Sequence, residues 1–318
     1  VGEPACVEQR RRPTPPLLEE IEGIAEGATQ TPRLVLSFQL GDEARWFFRD
    51  HFAISGERTD RCSTIGALGD ANNPAFVAQN LDVGSWADGK QLLLRLRDPL
   101  DGAETIVFSV AGMIAMNGLS GRGFGLCCNT LLQLASNPSG LPVAAVVRRT
   151  LASRCLEDAY AFLTGTTHAS GQNYLLGGRG GLYNLECCGT GATEYRLDGR
   201  QDRVLHTNHP LAARDVNASL DPLAATSSLR RLESLMHRFG SKYGSASLTE
   251  AKETLCARDD AEFPVCREVE LDETDPYWMT IGATIFEFGE TARLHVAAGP
   301  PTQSEFVTIA LSGPSGRG

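Results

Sequence analysis

Apolar residues recur at helical spacing in three stretches: Leu18, Ile21 and Ile24/Ala25; Leu229, Leu232, Leu235/Met236 and Phe239; and the run to Leu255 that follows the capping box Ser247-Leu248-Thr249-Glu250. Two further helices are expected at 141–151 and 156–163. Residues 34–39 read as a strand. From residue 62 the pattern is chiefly that of strands, at 62–67, 76–80, 91–97, 105–111 and 125–130, then 173–176, 182–187 and 203–207, and finally 279–288, 291–297 and 305–311. Asp88-Gly89 and Asp101-Gly102 read as hairpin turns, which makes the first five strands an antiparallel meander. Strands alternating with pairs of helices, with no internal repeat and no linker after residue 62, are the order expected when two antiparallel sheets stack and helices cover each outer face.

Composition narrows the class. With 318 residues, 42% of them hydrophobic, the chain can bury a large core. Its longest apolar runs, such as residues 141–147, fall short of the roughly 20 residues that span a bilayer. A net charge of -10 argues against nucleic acid as a partner; the one basic run, Arg10-Arg11-Arg12, lies in a Pro- and Arg-rich segment, residues 1–16, that reads as unstructured. Nine cysteines include two adjacent pairs, Cys127-Cys128 and Cys187-Cys188, on expected strands. Strand neighbours point to opposite faces, so neither pair resembles a metal or redox site, and reduced thiols in a cytoplasmic setting are expected.

Several motifs invite chemistry that their surroundings do not support. The glycine-rich runs 177–181 and 120–125 precede strands rather than the helix a phosphate loop must open, so both read as hairpin turns. His206 and His209, three apart on an expected strand, would face opposite sides with no third ligand at zinc spacing; neither a metal nor a cofactor is expected. No local signature pairs a histidine with a cysteine.

Cys62 follows Arg61 where a polar turn meets a strand. If the Arg61-Cys62 bond is cut, Cys62 gains an α-amine of pKa near 8, close enough to working pH to take the thiol proton. Such a nucleophile needs a carboxylate to hold the amine and amide donors to bind an oxyanion. Asp82 and Asn208, polar residues at strand ends, suit those two tasks.

Cys62-Ser63-Thr64, Gln79-Asn80-Leu81-Asp82, Leu126-Cys127-Cys128-Asn129 and His206-Thr207-Asn208-His209 occur in the order found in the acyl-coenzyme A:isopenicillin N acyltransferase-like family of N-terminal nucleophile hydrolases, which the chain resembles. Residues 17–27 resemble the helix of that family's pro-chain, and 264–267, 282–286 and 299–302 its C-terminal segments. The resemblance implies an α+β fold, a four-layer αββα sandwich of two stacked antiparallel sheets covered by helices. It divides the chain into a pro-chain or small subunit, residues 1–61, and a catalytic subunit, residues 62–318, held together non-covalently as one domain. The 61 residues before Cys62 are fewer than the family implies, and the chain after Ala28 departs from its pattern.

By position in the family, Asn129 is a second oxyanion donor, and Arg267 a partner for Asp82 or for a substrate carboxylate. The implied activity is a self-processing amidohydrolase that cleaves a small N-acyl compound through a Cys62 thioester. An acyl-coenzyme A-dependent N-acyltransferase and a non-catalytic scaffold are the alternatives, and a homo-oligomer is compatible with either. Arg148-Arg149 and Arg230-Arg231, the arginine pairs nearest to a phosphate site, are expected on solvated helix faces, which favours hydrolysis.

Overall fold

The structure, a computed structural model, describes residues 15–52, 62–217, 222–268 and 278–314. Three helices come first: α1 (Pro15–Gly27), α2 (Pro32–Gln39) and α3 (Gly41–Phe52). Strands β1 (Ser63–Ala67), β2 (Ala75–Gly84), β3 (Gln91–Arg97), β4 (Glu104–Val110), β5 (Asn117–Ser120) and β6 (Phe124–Thr130) follow, then helices α4 (Val143–Leu151) and α5 (Leu156–Gly165). Strands β7 (Gln172–Gly178), β8 (Gly181–Cys188), β9 (Gly191–Tyr195) and β10 (Arg203–His206) lead to α6 (Pro222–Leu235), a π-helical turn (Met236–Gly240) and α7 (Leu248–Leu255). The chain closes with β11 (Trp278–Phe288), β12 (Ala292–Ala297) and β13 (Val307–Ala310).

These strands form two antiparallel sheets, one ordered β10-β1-β2-β11-β12-β13 and the other β3-β4-β5-β6-β7-β8-β9. Period-two alternation assigns each residue to one layer boundary. Val77 and Leu81 of β2 point between the sheets, against Ile106, Phe108, Leu175 and Phe286. Phe76 and Ala78 of the same strand point outward, onto Leu235 and Phe239 and the α7 residue Leu255. On the second sheet Leu126, Tyr174 and Leu176 face Val146, Val147 and Leu151 of α4 and Ala159 and Leu163 of α5. Helices thus cover both outer faces, giving the four-layer αββα arrangement. With both faces covered, the central strands are buried along their whole length, as the unbroken burial of β1 and β7 records.

The expected meander from 62 to 130 is instead divided. β1 and β2 lie in the first sheet and β3 to β6 in the second, so Asp88-Gly89 carries the chain from one sheet to the other, while Asp101-Gly102 does join neighbouring strands. Both glycine-rich runs are hairpin connections, between β5 and β6 and between β7 and β8. Residues 34–39 form a helix, not a strand: the Thr31 hydroxyl caps the amide of Leu34, and Pro32 in the first turn has its φ already set. Cys127 lies in the inter-sheet core, while its neighbour Cys128 packs on the α4/α5 side. Among the described residues the cysteines form no disulfide, and no helix is long and apolar enough to cross a membrane.

The N-terminal helices are bound to the second sheet and its loops. Glu20 takes both ends of the Arg148 guanidinium at 2.7 Å, and Ile21, Ala25 and Val35 pack with Ile114 and Ala144. Gln39 bonds the Gly112 carbonyl and the Ile114 amide, and buried Trp46 donates to the Leu134 carbonyl at 2.9 Å.

Candidate active site

Cys62 immediately precedes β1, a central strand, and is 8% exposed. The register Ser63↔Asn80 continues to place Cys62 opposite Leu81, one residue from Asp82. Alternation turns Cys62 and Thr64 toward the second sheet and Ser63 toward the helices. Two observations agree with this. The Thr64 hydroxyl donates to Asn129 Oδ1 across the sheets at 2.9 Å, and burial, with the charge of Cys62 adding to it, pushes the Cys127 thiol far up. Arg61 lies outside the described residues.

Asp82 is fully buried, and its Oδ1 accepts from the Thr280 hydroxyl at 2.7 Å. The pairing of β2 with β11 shifts between Thr280 and Gly282, a bulge beside Asp82 that leaves Ile281 unpaired. A Cβ on Gly282 would lie 2.5 Å from the Phe108 ring, so any side chain there requires that ring to move. Arg267 reaches Asp82 through the same threonine: its backbone amide donates to Thr280 Oγ1 at 2.9 Å, while its guanidinium Nη2 donates to the Glu262 carbonyl at 3.1 Å.

Asn129, on β6, is fully buried. Its Oδ1 accepts from Thr64 and, at 3.2 Å, from Asn173 Nδ2, while its own Nδ2 has no partner in the described structure.

Asn208 lies just past the end of β10 and is 4% exposed. Its backbone amide donates to Ser228 Oγ at 2.6 Å, and its side-chain Nδ2 donates to the Thr130 carbonyl at 3.1 Å. Because β10 ends at His206, the two histidines do not simply face opposite sides of a strand. His206 Nε2 meets Glu186 at 2.9 Å, and Glu186 also accepts from the amides of Leu211, Ala212 and Ala213, which ties the loop down. His209 Nδ1 meets Ser228 Oγ at 2.7 Å. Burial, together with the charges of His206 and Arg231, pushes His209 down to about 4, so its ring is neutral. Among the described residues no group of three His, Cys, Asp or Glu could hold a metal.

Arg231, on α6, was expected on a solvated face and is 1% exposed. Its Nη1 donates to the Cys62 carbonyl at 2.7 Å and to Ser63 Oγ at 3.0 Å, and its Nη2 donates to Asn208 Oδ1 at 3.0 Å. The sequence signal was helical phase: Ser227, Arg231 and Leu235 are spaced by four, so Arg231 shares the stripe of a fully buried leucine. Its neighbour Arg230 does face solvent, held by Glu233 and Asp260. Arg148 is 11% exposed and bound to Glu20, not to solvent.

Cys62 therefore heads a central strand whose start is tied to two buried amides, Asn129 of the second sheet through Thr64 and Asn208 of the loop after β10 through Arg231. A thiol, a buried carboxylate and buried amides are groups that acyl transfer can use. The acyl-coenzyme A:6-aminopenicillanic acid acyl-transferase family matches over residues 71–297. The 40 kDa form of acyl-coenzyme A:6-aminopenicillanic-acid-acyltransferase from Emericella nidulans is 27% identical over 259 residues, covering 80% of this chain and 67% of that protein. Among solved structures, a mutant of conjugated bile acid hydrolase from Clostridium perfringens overlays with a TM-score of 0.53 at 10% identity, covering 78% of this chain and 92% of that one. The structural likeness carries the N-terminal nucleophile hydrolase fold, and the family match carries the relationship: this chain belongs to the acyl-coenzyme A:6-aminopenicillanic acid acyl-transferase family.

Proposed function

We propose that Cys62 is the nucleophile of a self-processing amidohydrolase acting on a small N-acyl compound. The observation that supports the reading is the position of Cys62 at the head of β1, a strand start tied to the Asn129 amide through Thr64 and to the Asn208 amide through Arg231. In maturation, Cys62 Sγ attacks the Arg61 carbonyl, its thiol proton passes to the departing Cys62 nitrogen, and the resulting thioester is opened by water. The products are a carboxylate at Arg61 and a free α-amine at Cys62.

In turnover the α-amine takes the thiol proton, directly or through water, as sulfur adds to the substrate carbonyl. Asn129 and Asn208 donate to the tetrahedral oxyanion, and Asp82 orients the amine. Collapse breaks the C–N bond, and the ammonium returns the proton to the leaving amine. Water, deprotonated by the same α-amine, then adds to the thioester and releases the acid. The link from Arg267 to Asp82 runs through its backbone amide and Thr280, while its guanidinium, expected on a carboxylate, donates to the Glu262 carbonyl instead.

A second reading is transfer of the acyl group from acyl-coenzyme A to an amine, favoured by the family match and the Emericella relative. Hydrolysis remains first because three of the four arginines nearest to a phosphate site are engaged, Arg148 by Glu20, Arg230 by Glu233 and Asp260, and Arg231 by the site itself, while Arg149 lies over the Phe162 ring. Denaturing mass spectrometry should find a fragment beginning at Cys62, and Cys62→Ala should stay whole and inactive. The processed protein should hydrolyse members of a panel of N-acyl amino acids and amines; product formed only with both a coenzyme A thioester and an acceptor amine would establish the transferase instead.

A further inference from the structure

We propose that Arg231 is a positioning residue of this reaction, which fixes the amide of Asn208 with its nitrogen toward the reacting carbonyl and clamps that amide to the Cys62 peptide unit. The inference rests on the Cys62 reading above and extends it to a residue that no catalytic motif marks.

A guanidinium carries five donors and no acceptor. The side-chain atom that Asn208 turns toward Arg231 must therefore be oxygen, as the 3.0 Å contact from Nη2 to Oδ1 has it. On the other side the Thr130 carbonyl can only accept, and it takes one N–H from Asn208 Nδ2 at 3.1 Å. Donor on one side and acceptor on the other leave the amide one orientation, since a flipped group would set NH₂ against the guanidinium and oxygen against a carbonyl. The second N–H of Nδ2 is then held ready for a substrate oxygen without reorganisation.

The same guanidinium fixes the distance to the nucleophile. Nη1 binds the Cys62 carbonyl at 2.7 Å and Ser63 Oγ at 3.0 Å, so the planar fork ties the first two residues of the catalytic strand to the oxyanion donor. Ser227 Oγ, one helical turn away, lies 3.5 Å from Nε and sets the plane of the group. A lysine in this place would keep the charge, but one ammonium on a flexible stem cannot reproduce the fork. The cost of burying this cation in a layer boundary is offset by acceptors on all its nitrogens, which makes the arrangement specific as well as dry.

The test is a double-mutant cycle on the processed enzyme, with kcat and KM measured separately. Arg231→Lys and Arg231→Met should each lower kcat by at least about tenfold with KM within threefold, since the substrate touches Asn208 and not Arg231. In an Asn208→Ala background the same changes should have little further effect, because the amide they orient is gone. Should Arg231→Met fail to accumulate as folded protein, Arg231→Lys supplies the same cycle, with thermal melting to confirm that it is folded. A full, independent loss in the Asn208→Ala background would overturn the proposal, as would unchanged kcat in Arg231→Lys. A wild-type protein that is never processed, or a Cys62→Ala variant that keeps its activity, would overturn the Cys62 reading and this inference with it. Processing and activity that are intact but indifferent to Arg231 would overturn this inference alone.

Discussion

Asp42 and Thr130 join the N-terminal helices to the candidate site: Asp42 Oδ2 accepts from the Thr130 hydroxyl at 2.9 Å, and the carbonyl of that same threonine holds Asn208. Gln172 Nε2 also donates to Asp42 Oδ2, at 2.9 Å. Residues 15–52 are therefore part of the wall that sets the Asn208 amide, whether or not the chain is cut at Cys62. Asp42→Ala removes the carboxylate that accepts from the Thr130 hydroxyl and from Gln172 Nε2, which keeps only its 3.3 Å contact to Ser170 Oγ. A stability loss of about 1–3 kcal/mol is expected in denaturant unfolding. A fall in kcat should accompany it; a variant with wild-type kcat would show that Thr130 holds its place without Asp42.

Glu43, the next residue, gives this docking a pH dependence. Its Oε1 accepts from the Val143 amide at 2.9 Å and from Ser170 Oγ at 2.8 Å, and burial, with the charge of Asp42 adding to it, pushes its pKa up to about 7. Between about 4.5 and 7 the folded chain therefore holds a proton that the unfolded chain releases. The contribution of this group is complete below 4.5 and is lost as pH rises through 7. Thermal midpoints measured across that window should fall more steeply in wild type than in Glu43→Gln, and parallel curves would remove Glu43 as the cause.

His209 acts in the opposite sense. With its pKa pushed down to about 4, it stays neutral when folded, while the unfolded residue takes up a proton below about 6.5. Stability from this group is present above 6.5 and is lost as pH falls toward 4. His209→Gln should lessen acid destabilisation in that range, read in the same melting experiment. Because the two slopes oppose each other between about 4.5 and 6.5, the single variants separate what the wild-type curve merges.

How much of this was legible depended on what buried each element. β11 could be read from its residues because helices and a second sheet cover both its faces, so that ten of its eleven positions are buried and the apolar run is nearly continuous. α3 could not: Trp46 is buried, but the adjacent Phe47 and Phe48 are half exposed and pack edge to face on each other, which blurs the apolar stripe. β5, Asn117–Ser120, carries no strand signal because its position demands small residues; a Cβ on Gly118 would lie 2.5 Å from Leu151 Cδ1 and 2.7 Å from the Ile106 carbonyl. In the site, Cys62, Asp82, Asn129 and Asn208 stand in motifs whose order along the chain is informative. Arg231 stands in none, and its place is set by α6 packing across the start of β1, a contact between residues far apart in the chain.

Asn129 offers the most direct test of the oxyanion assignment. Its Oδ1 accepts from Thr64 Oγ1 at 2.9 Å and from Asn173 Nδ2 at 3.2 Å, an orientation in which Nδ2 is the end left over. An oxygen arriving at that buried nitrogen would give it an acceptor. Asn129→Ala should therefore lower kcat by about 10²- to 10³-fold, the usual loss for one oxyanion donor. The fold should survive, because the Thr64 hydroxyl keeps a second acceptor in the His206 carbonyl at 3.3 Å. A transition-state analogue bearing a tetrahedral oxyanion should lose affinity for the variant by a similar factor, while a substrate amide loses little. If kcat stays within threefold of wild type in a variant that melts normally, Asn129 is a strut between the sheets and Asn208 must stabilise the oxyanion without it.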